Sequence, residues 1–167
     1  MAEDYLLNEH NKEEFPPAHT AEHLLNQLMV RMFGCERSRN AHVERKKSKI
    51  SYVLDHKPDR KEEREIERRM NELIEEDLPV RFEFVTRAEL EGIVMGAEPG
   101  SPDAGISLDR LPENASETIR LVRIGDYDVC PCIGKHVRST AQIGSFVLLG
   151  TNWDNDAHSF RIRFKVV

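Results

Sequence analysis

The feature that most constrains this chain is a pair of short stretches, far apart in sequence, that each carry two side chains of the kinds that bind zinc. His19 and His23 stand four positions apart, and so do Cys132 and His136. If residues 18–33 are helical, the two histidines lie one turn apart on the same face and can share one metal ion. A site made from both pairs requires a fold that brings the beginning and the end of the chain together.

The cysteines leave the set of metal ligands open. Cys130 stands two residues before Cys132 and could replace or supplement it, or it could be a small buried residue at the end of a strand. Cys35 has no histidine partner nearby in sequence and is interpreted as structural. Because zinc in proteins is usually held by three or four nitrogen or sulfur donors, the two pairs together favour a zinc site.

A competing motif overlaps the first stretch. Residues 19–23 read His-Thr-Ala-Glu-His, which also fits the H-x-x-E-H pattern of inverted zinc peptidases, where the glutamate serves as general base. A peptidase of this kind needs Glu22 and tolerates loss of Cys132. The pattern fixes only three of five residues and gives the second stretch no role, so it is the weaker hypothesis.

Composition indicates one soluble globular domain. The chain has 167 residues, of which 39% are hydrophobic and 32% charged, and no apolar run is long enough to span a membrane. The N-terminus has no signal-peptide pattern, and three cysteines without an even framework suit a reducing compartment, so the cytoplasm is expected. The formal charge of −6 counts against broad affinity for nucleic acids but allows a local basic patch.

Periodicity and turn residues predict the α+β class, with an antiparallel sheet packed with two main helices in a single domain. Residues 1–17 are expected to form a lead-in segment and residues 18–167 the domain. The main helices are predicted over residues 18–33 and 59–77, with a short third helix at 86–92 and a long loop at 95–114. A hairpin with a basic rim is predicted where residues 36–49 meet the first strand. The strands are predicted at 50–54, 80–85, 118–124, 127–130, 145–149 and 160–166.

With their flanking residues, the two stretches resemble the second additional domain of alanyl- and threonyl-tRNA synthetases. The first motif is similar over His19-Thr20-Ala21-x-His23-Leu24-Leu25, and the second over Cys132-x-Gly134-x-His136-Val137. Further similar positions are Asn71-Glu72-Leu73-Ile74, Leu78-Pro79-Val80, Thr140, Ile143-Gly144, Phe146 and Arg161-Ile162. The resemblance extends from about Pro17 to the end. Because a chain of this length is expected to have no room for an aminoacylation domain, the resemblance implies the short freestanding alanyl-tRNA editing proteins.

The resemblance implies an activity. Proteins of this family hydrolyse the ester between a wrong amino acid and tRNA. The wrong amino acid is serine or glycine on tRNA(Ala), and it is serine on tRNA(Thr). A zinc ion held by His19, His23, Cys132 and His136 is implied, with the 3′ aminoacylated end of tRNA as the partner. We therefore expect an aminoacyl-tRNA hydrolase that edits in trans. The alternative from the same resemblance is a non-catalytic zinc- or tRNA-binding module.

The chain departs from the family pattern near the second motif. Ile133 and Lys135 stand where the alanine branch usually has glycine and threonine, and the acid nearest to the motif cysteine is Asp128. The candidate catalytic residues are His19, Lys135 and Asp128, with Lys135 as general base or as a contact for the terminal phosphate of tRNA. By position, Arg39 and Asn40 would bind the amino acid. Residues 45–49 are a candidate contact for the tRNA backbone. The tRNA, the amino acid and the oligomeric state stay open.

Overall fold

The computed structural model describes residues 14–109, 111 and 118–167. In this α+β domain the described residues divide into two compact units, the first made of residues 14–78 and 134–167 and the second of residues 79–133. The helices are α1 (Pro16–Phe33), α2 (Arg60–Glu75) and α3 (Arg87–Gly96). The strands are β1 (Asn40–His42), β2 (Ser48–Val53), β3 (Val80–Thr86), β4 (Thr118–Ile124), β5 (Asp128–Pro131), β6 (Phe146–Asp154) and β7 (Ser159–Val166).

The first unit is built on a four-stranded antiparallel sheet in the order β1-β2-β7-β6. Alternate side chains of β2 and β7 are buried, as expected when one face of a sheet covers a core. These inner-face residues are Ile50, Tyr52, Phe160, Ile162 and Phe164. The Tyr52 hydroxyl donates a hydrogen bond of 2.9 Å to Asn26 Oδ1 of α1. Helix α1 therefore lies against the inner face.

Helix α1 begins two residues earlier than predicted, at Pro16, because proline is well suited to the first helical positions. Its predicted end at Phe33 is confirmed, and Gly34 closes it with φ 66°. Within α1, His23 is buried and only 3% exposed. The reason is that the sheet, α2 and a 3-10 helix (Thr140–Ile143) all pack around α1.

Helix α2 is fixed at its start and along its length by polar side chains. Asp59 and Glu62 form the capping box that closes its first turn. The Asn71 side chain bonds to both backbone groups of Phe146, at 2.8 and 2.9 Å. The buried Thr140 hydroxyl donates to the Leu73 carbonyl and accepts from the backbone N–H that follows α2, at Leu78. These bonds join α2 to the segment that follows the second motif.

The second unit is a three-stranded antiparallel sheet, β3-β4-β5, covered by α3. Thr86 and Glu89 form a capping box at the start of α3, and the helix continues to Gly96 rather than ending at the predicted Gly92. The predicted loop at 95–114 contains a 3-10 helix (Pro102–Gly105), and residues 110 and 112–117 lie outside the described part. The core of this unit is formed by Val85, Leu90, Ile106, Ile119, Leu121 and Val129.

The predicted α+β class is confirmed, and the arrangement of strands differs from the prediction. Two antiparallel sheets replace the single expected sheet, and helix α3 extends beyond the predicted end of the short third helix at residue 92. Strand β6 runs to Asp154 instead of residue 149, because a bulge near Gly150 lets it continue its pairing with β7. The boundary at residue 17 stays a prediction, since residues 1–13 are outside the described part. Of the described helices, none is both long and apolar enough to cross a membrane.

Candidate metal centre

Three histidine rings meet in the first unit. His19 and His23 come from successive turns of α1, and His136 comes from the segment before the 3-10 helix Thr140–Ile143. The ring centroids are 5.0 Å apart for His19 and His23, 4.1 Å for His19 and His136, and 4.5 Å for His23 and His136. Their ligand nitrogens lie within 4.8 Å of one another. The fold thus brings His136 to two histidines of α1 that are more than a hundred residues away in sequence.

Thr20 holds His136 in the cluster. Its Oγ1 lies 2.9 Å from His136 Nδ1 and accepts a hydrogen bond of 3.2 Å from the backbone N–H of Val137. Thr20 itself is fully buried in the first turns of α1. Because Thr20 engages Nδ1, Nε2 is the nitrogen of His136 that could bind a metal ion. Sequence reasoning included Thr20 only as part of a motif and gave it no role.

The backbone of the second motif holds His19. His19 Nδ1 donates to the Lys135 carbonyl oxygen at 3.0 Å, and the Lys135 N–H donates to Glu14 Oε1 at 2.7 Å. Gly134 packs so closely here that a Cβ atom at this position would lie 2.8 Å from His19 Nδ1 and 2.5 Å from Glu14 Oε1. Lys135 therefore contacts the cluster through its main chain, which sequence reasoning did not foresee.

Glu22 is a carboxyl group beside the cluster. Its Oε1 lies 3.9 Å from His19 Nε2, and the His19 side chain is 16% exposed. Burial raises the pKa of Glu22, while His19 and Arg37 oppose this shift. A carboxyl group with a raised pKa keeps its proton to a higher pH than an exposed one does.

The two candidate thiol ligands, Cys130 and Cys132, belong to the second unit, and so does the candidate catalytic residue Asp128. Cys130 lies in β5 opposite Val122. Cys132 follows β5, where its N–H donates to the Arg120 carbonyl at 3.1 Å and its own carbonyl accepts from Arg120 Nε at 2.7 Å. Asp128 begins β5 and is almost fully buried. Its proposed catalytic role stays a prediction.

The predicted amino-acid-binding residues lie in the segment after α1. The Arg39 side chain is 68% exposed and lies 4.0 Å from Glu36. Asn40 begins β1 opposite Ser51, on the face of the sheet that points away from α1. A role for either residue in binding the amino acid stays a prediction.

The donor set of the cluster fits zinc. Imidazole nitrogens are common zinc ligands, so His19, His23 and His136 are residues that would hold a zinc ion. Hydrogen bonds to the second ring nitrogen are typical of metal-binding histidines, and both His19 and His136 make one. The geometry therefore supports a metal centre held by His19, His23 and His136.

We expect Thr20→Val to weaken zinc binding by about 10–100-fold, because it removes the hydrogen-bond partner that orients His136. Thr20→Ser keeps the hydroxyl and should retain most of the affinity. Competition with a chromophoric chelator measures both variants. Equal zinc affinity in Thr20→Val and the unmodified protein would contradict a positioning role for this hydroxyl.

The fold and the site together define a class of protein: an α+β domain with a histidine cluster of the zinc-binding type. Residues 119–162 match the family described as "Threonyl and Alanyl tRNA synthetase second additional domain". The predicted resemblance to this domain is thereby confirmed, and the chain is a relative of it. The match begins in β4 and includes the second motif.

Similar proteins include alanine–tRNA ligases and an alanyl-tRNA editing protein. The chain is 31% identical over 134 residues to an alanine–tRNA ligase of Halorubrum lacusprofundi, covering 80% of this chain and 13% of the ligase. It is 32% identical over 133 residues to that of Methylacidiphilum infernorum, covering 79% and 13%. The alanyl-tRNA editing protein AlaX-L of Pyrococcus horikoshii is 29% identical over 131 residues, covering 78% and 29%. The chain thus spans a small part of each relative.

Proposed function

We propose that this protein is an aminoacyl-tRNA deacylase that edits in trans and hydrolyses the ester of a mischarged tRNA, with Ser-tRNA(Ala) or Gly-tRNA(Ala) as its substrate. The observation that carries the proposal is the cluster of three histidines, whose ligand nitrogens converge within 4.8 Å. The similarity to a protein named as an alanyl-tRNA editing protein supports it. A cytoplasmic location belongs to the same proposal, because tRNA is charged and used there.

Zinc is the proposed cofactor, with His19, His23, Cys132 and His136 as its ligands. Cys132 is the donor that the sequence motif adds to the three histidines, because a thiolate is a strong zinc ligand. When bound, zinc would polarise the ester carbonyl or lower the pKa of a water molecule. Cys130 is the alternative thiol.

Side chains and backbone groups around the histidines orient the imidazole rings, move a proton and contact the tRNA. Thr20 and the Lys135 carbonyl fix the orientation of two imidazole rings, so that the centre is organised before substrate arrives. Glu22 is the group we expect to move a proton during hydrolysis, because its pKa is raised and it lies beside His19. The Lys135 side chain is the proposed contact for the terminal phosphate of tRNA.

The test is a panel of mischarged tRNAs. Ser-tRNA(Ala), Gly-tRNA(Ala) and Ser-tRNA(Thr) are incubated with the purified protein beside their correctly charged forms, and loss of the esterified amino acid is followed. We expect selective hydrolysis of Ser-tRNA(Ala) or Gly-tRNA(Ala), and loss of this activity after chelation. Hydrolysis of Ser-tRNA(Thr) alone would assign the threonine branch. No hydrolysis of any substrate by zinc-loaded protein would overturn the proposal.

The changed residues of the second motif favour one further candidate, a non-catalytic tRNA-binding module. Ile133 is exposed, and Lys135 stands where the alanine branch has threonine. Such a module would bind tRNA without turnover in the same panel. A zinc peptidase, by contrast, would lose proteolysis on Glu22→Gln and keep it on Cys132→Ala.

A further inference from the structure

Strand pairing in the first unit places two rows of polar positions on the outer face of the four-stranded sheet. Their neighbours along β2 and β7, such as Ile50 and Ile162, are buried on the inner face, so strand alternation turns these rows outward. Across β1, β2, β7 and β6, the first row is Asn40, Ser51, Arg161 and Asn152. The second row is His42, Lys49, Arg163 and Gly150.

The two rows are positively charged. They contain Lys49, Arg161 and Arg163, and neither row contains an aspartate or a glutamate. Glu44, just beyond β1, pairs with His42 at 2.8 Å. Since the whole chain carries a formal charge of −6, this positive face does not follow from the overall composition.

A carboxylate, that of Asp154, lies at the end of the outer face next to the β6–β7 turn, where it forms hydrogen bonds within that turn. The row next to the β6–β7 turn consists of Val53, Ser159 and Asp154. Asp154 Oδ1 accepts hydrogen bonds from the backbone N–H groups of Asp156 and Ala157 within the turn. The side chain of Asp154 therefore makes hydrogen bonds within the turn, and the row at the opposite end of the face adds a further cation, Lys165, which lies opposite Val147.

A cavity opens in the middle of this face. It has a volume of about 330 Å³ and is lined by Asn40, His42, Lys49, Ser51 and Arg161. This lining consists of side chains that can donate hydrogen bonds, and three of them carry or can carry a positive charge. A cavity of this kind suits an anionic group such as a phosphate, which accepts hydrogen bonds from guanidinium, ammonium, hydroxyl and amide groups.

The guanidinium group of Arg163 is held in place beside the cavity. It donates from Nη1 to Asn152 Oδ1 at 3.0 Å. It also crosses the strand at Gly150, where a Cβ atom would lie 3.3 Å from Cζ and closer still to Nη2. The missing side chain of Gly150 therefore makes room for Arg163. A fixed guanidinium loses less conformational entropy when it binds a phosphate than a mobile one.

We propose that this outer face binds the phosphodiester backbone of the tRNA substrate, with Lys49, Arg161 and Arg163 as its principal phosphate contacts. The inference rests on the proposed function and adds the surface that the rest of the tRNA would occupy. Neighbouring rows are about 6.8 Å apart along a strand and neighbouring strands about 4.8 Å apart, so the cations cover an area rather than a point. Such an area favours a polyanion over a single small anion.

The experiment measures binding of uncharged tRNA, so that its outcome does not depend on hydrolysis. The test variant carries Lys49→Gln and Arg161→Gln. The matched control carries Lys61→Gln and Arg64→Gln, two exposed cations of α2 with the same total charge change. Melting temperature and zinc content of both variants are compared with the unmodified protein. Fluorescence anisotropy at several salt concentrations then gives Kd and its salt dependence.

We expect the test variant to bind tRNA about tenfold more weakly and to lose about two units from the slope of log K against log salt, with the control unchanged. Its KM for mischarged tRNA should rise while kcat at saturation is retained. Equal Kd and slope in the two variants would overturn the inference even if hydrolysis is observed. So would unchanged tRNA binding with altered self-association, which would indicate a protein interface. A protein without hydrolytic activity that still shows the tenfold loss would support the surface and overturn only the proposed function.

Discussion

Replacing His136 by alanine is expected to remove the bound zinc and to reduce hydrolysis of mischarged tRNA by at least about 100-fold. His136 is the histidine that joins the second motif to the two ligands on α1, with ring centroids 4.1 and 4.5 Å away. Loss of a hydrogen-bond partner of a metal ligand typically costs about 10–100-fold, and loss of the ligand itself should cost more. Zinc content by mass spectrometry and initial rates of deacylation measure the two effects.

Stability gives a readout of the same substitution that needs no substrate. Zinc at 100 times its Kd should stabilise the unmodified protein by about 2.7 kcal/mol and leave His136→Ala unaffected. His56→Ala is the matched control, because this exposed histidine contacts Asp55 and Glu62 outside the cluster. The assignment of the metal centre fails if His136→Ala retains full zinc content and the zinc-dependent rise in melting temperature.

Gly134→Ala is the second substitution from which we expect a large effect, since the added methyl group would occupy space that His19 and Glu14 fill. The Cβ atom would lie 2.5 Å from Glu14 Oε1 and 2.8 Å from His19 Nδ1. The imidazole must then move, and its hydrogen bond to the Lys135 carbonyl is lost or lengthened. We expect zinc affinity to fall by about 10–100-fold or more, measured by chelator competition.

Two comparisons separate this local effect from general unfolding. Gly92→Ala makes the same change in α3, where nothing lies within 4 Å of the new Cβ atom, and should be neutral or stabilise by up to about 1 kcal/mol. A double-mutant cycle with His19→Ala provides the second comparison. If Gly134→Ala acts through His19, it should add little to the loss already caused by His19→Ala. Additive losses would argue against this mechanism.

Local patterns in the sequence were sufficient to predict where the helices lie and some of their ends. The spacing of acceptor and glutamate accounts for both capping boxes, at Asp59 and at Thr86. The end of α1 before Gly34 is where the sequence predicts it. Strand β4 has the predicted bounds, Thr118–Ile124. These features depend on residues within a few positions of each other, so backbone sterics and short-range hydrogen bonds determine them.

The helical spacing of His19 and His23 also follows from the sequence alone, and the resemblance of the two motifs pointed to His136 as their partner. The hydrogen bonds that organise the cluster could not be predicted in this way. Thr20 reaches His136 across 116 positions, and Gly134 is needed because His19 packs against its backbone. Neither contact has a periodic or compositional signal.

The sequence by itself determined most of the secondary structure, the α+β class and the types of ligand available. Only the tertiary structure decided that the strands form two sheets, that Asn40 faces away from α1, and that Lys49 and Arg161 share an outer face. The physical reason is that β2 and β7 pair across more than a hundred residues. Such pairing is set by the burial of Ile50, Phe160 and Ile162 against the helices, and this depends on the packing of the whole unit rather than on any local stretch.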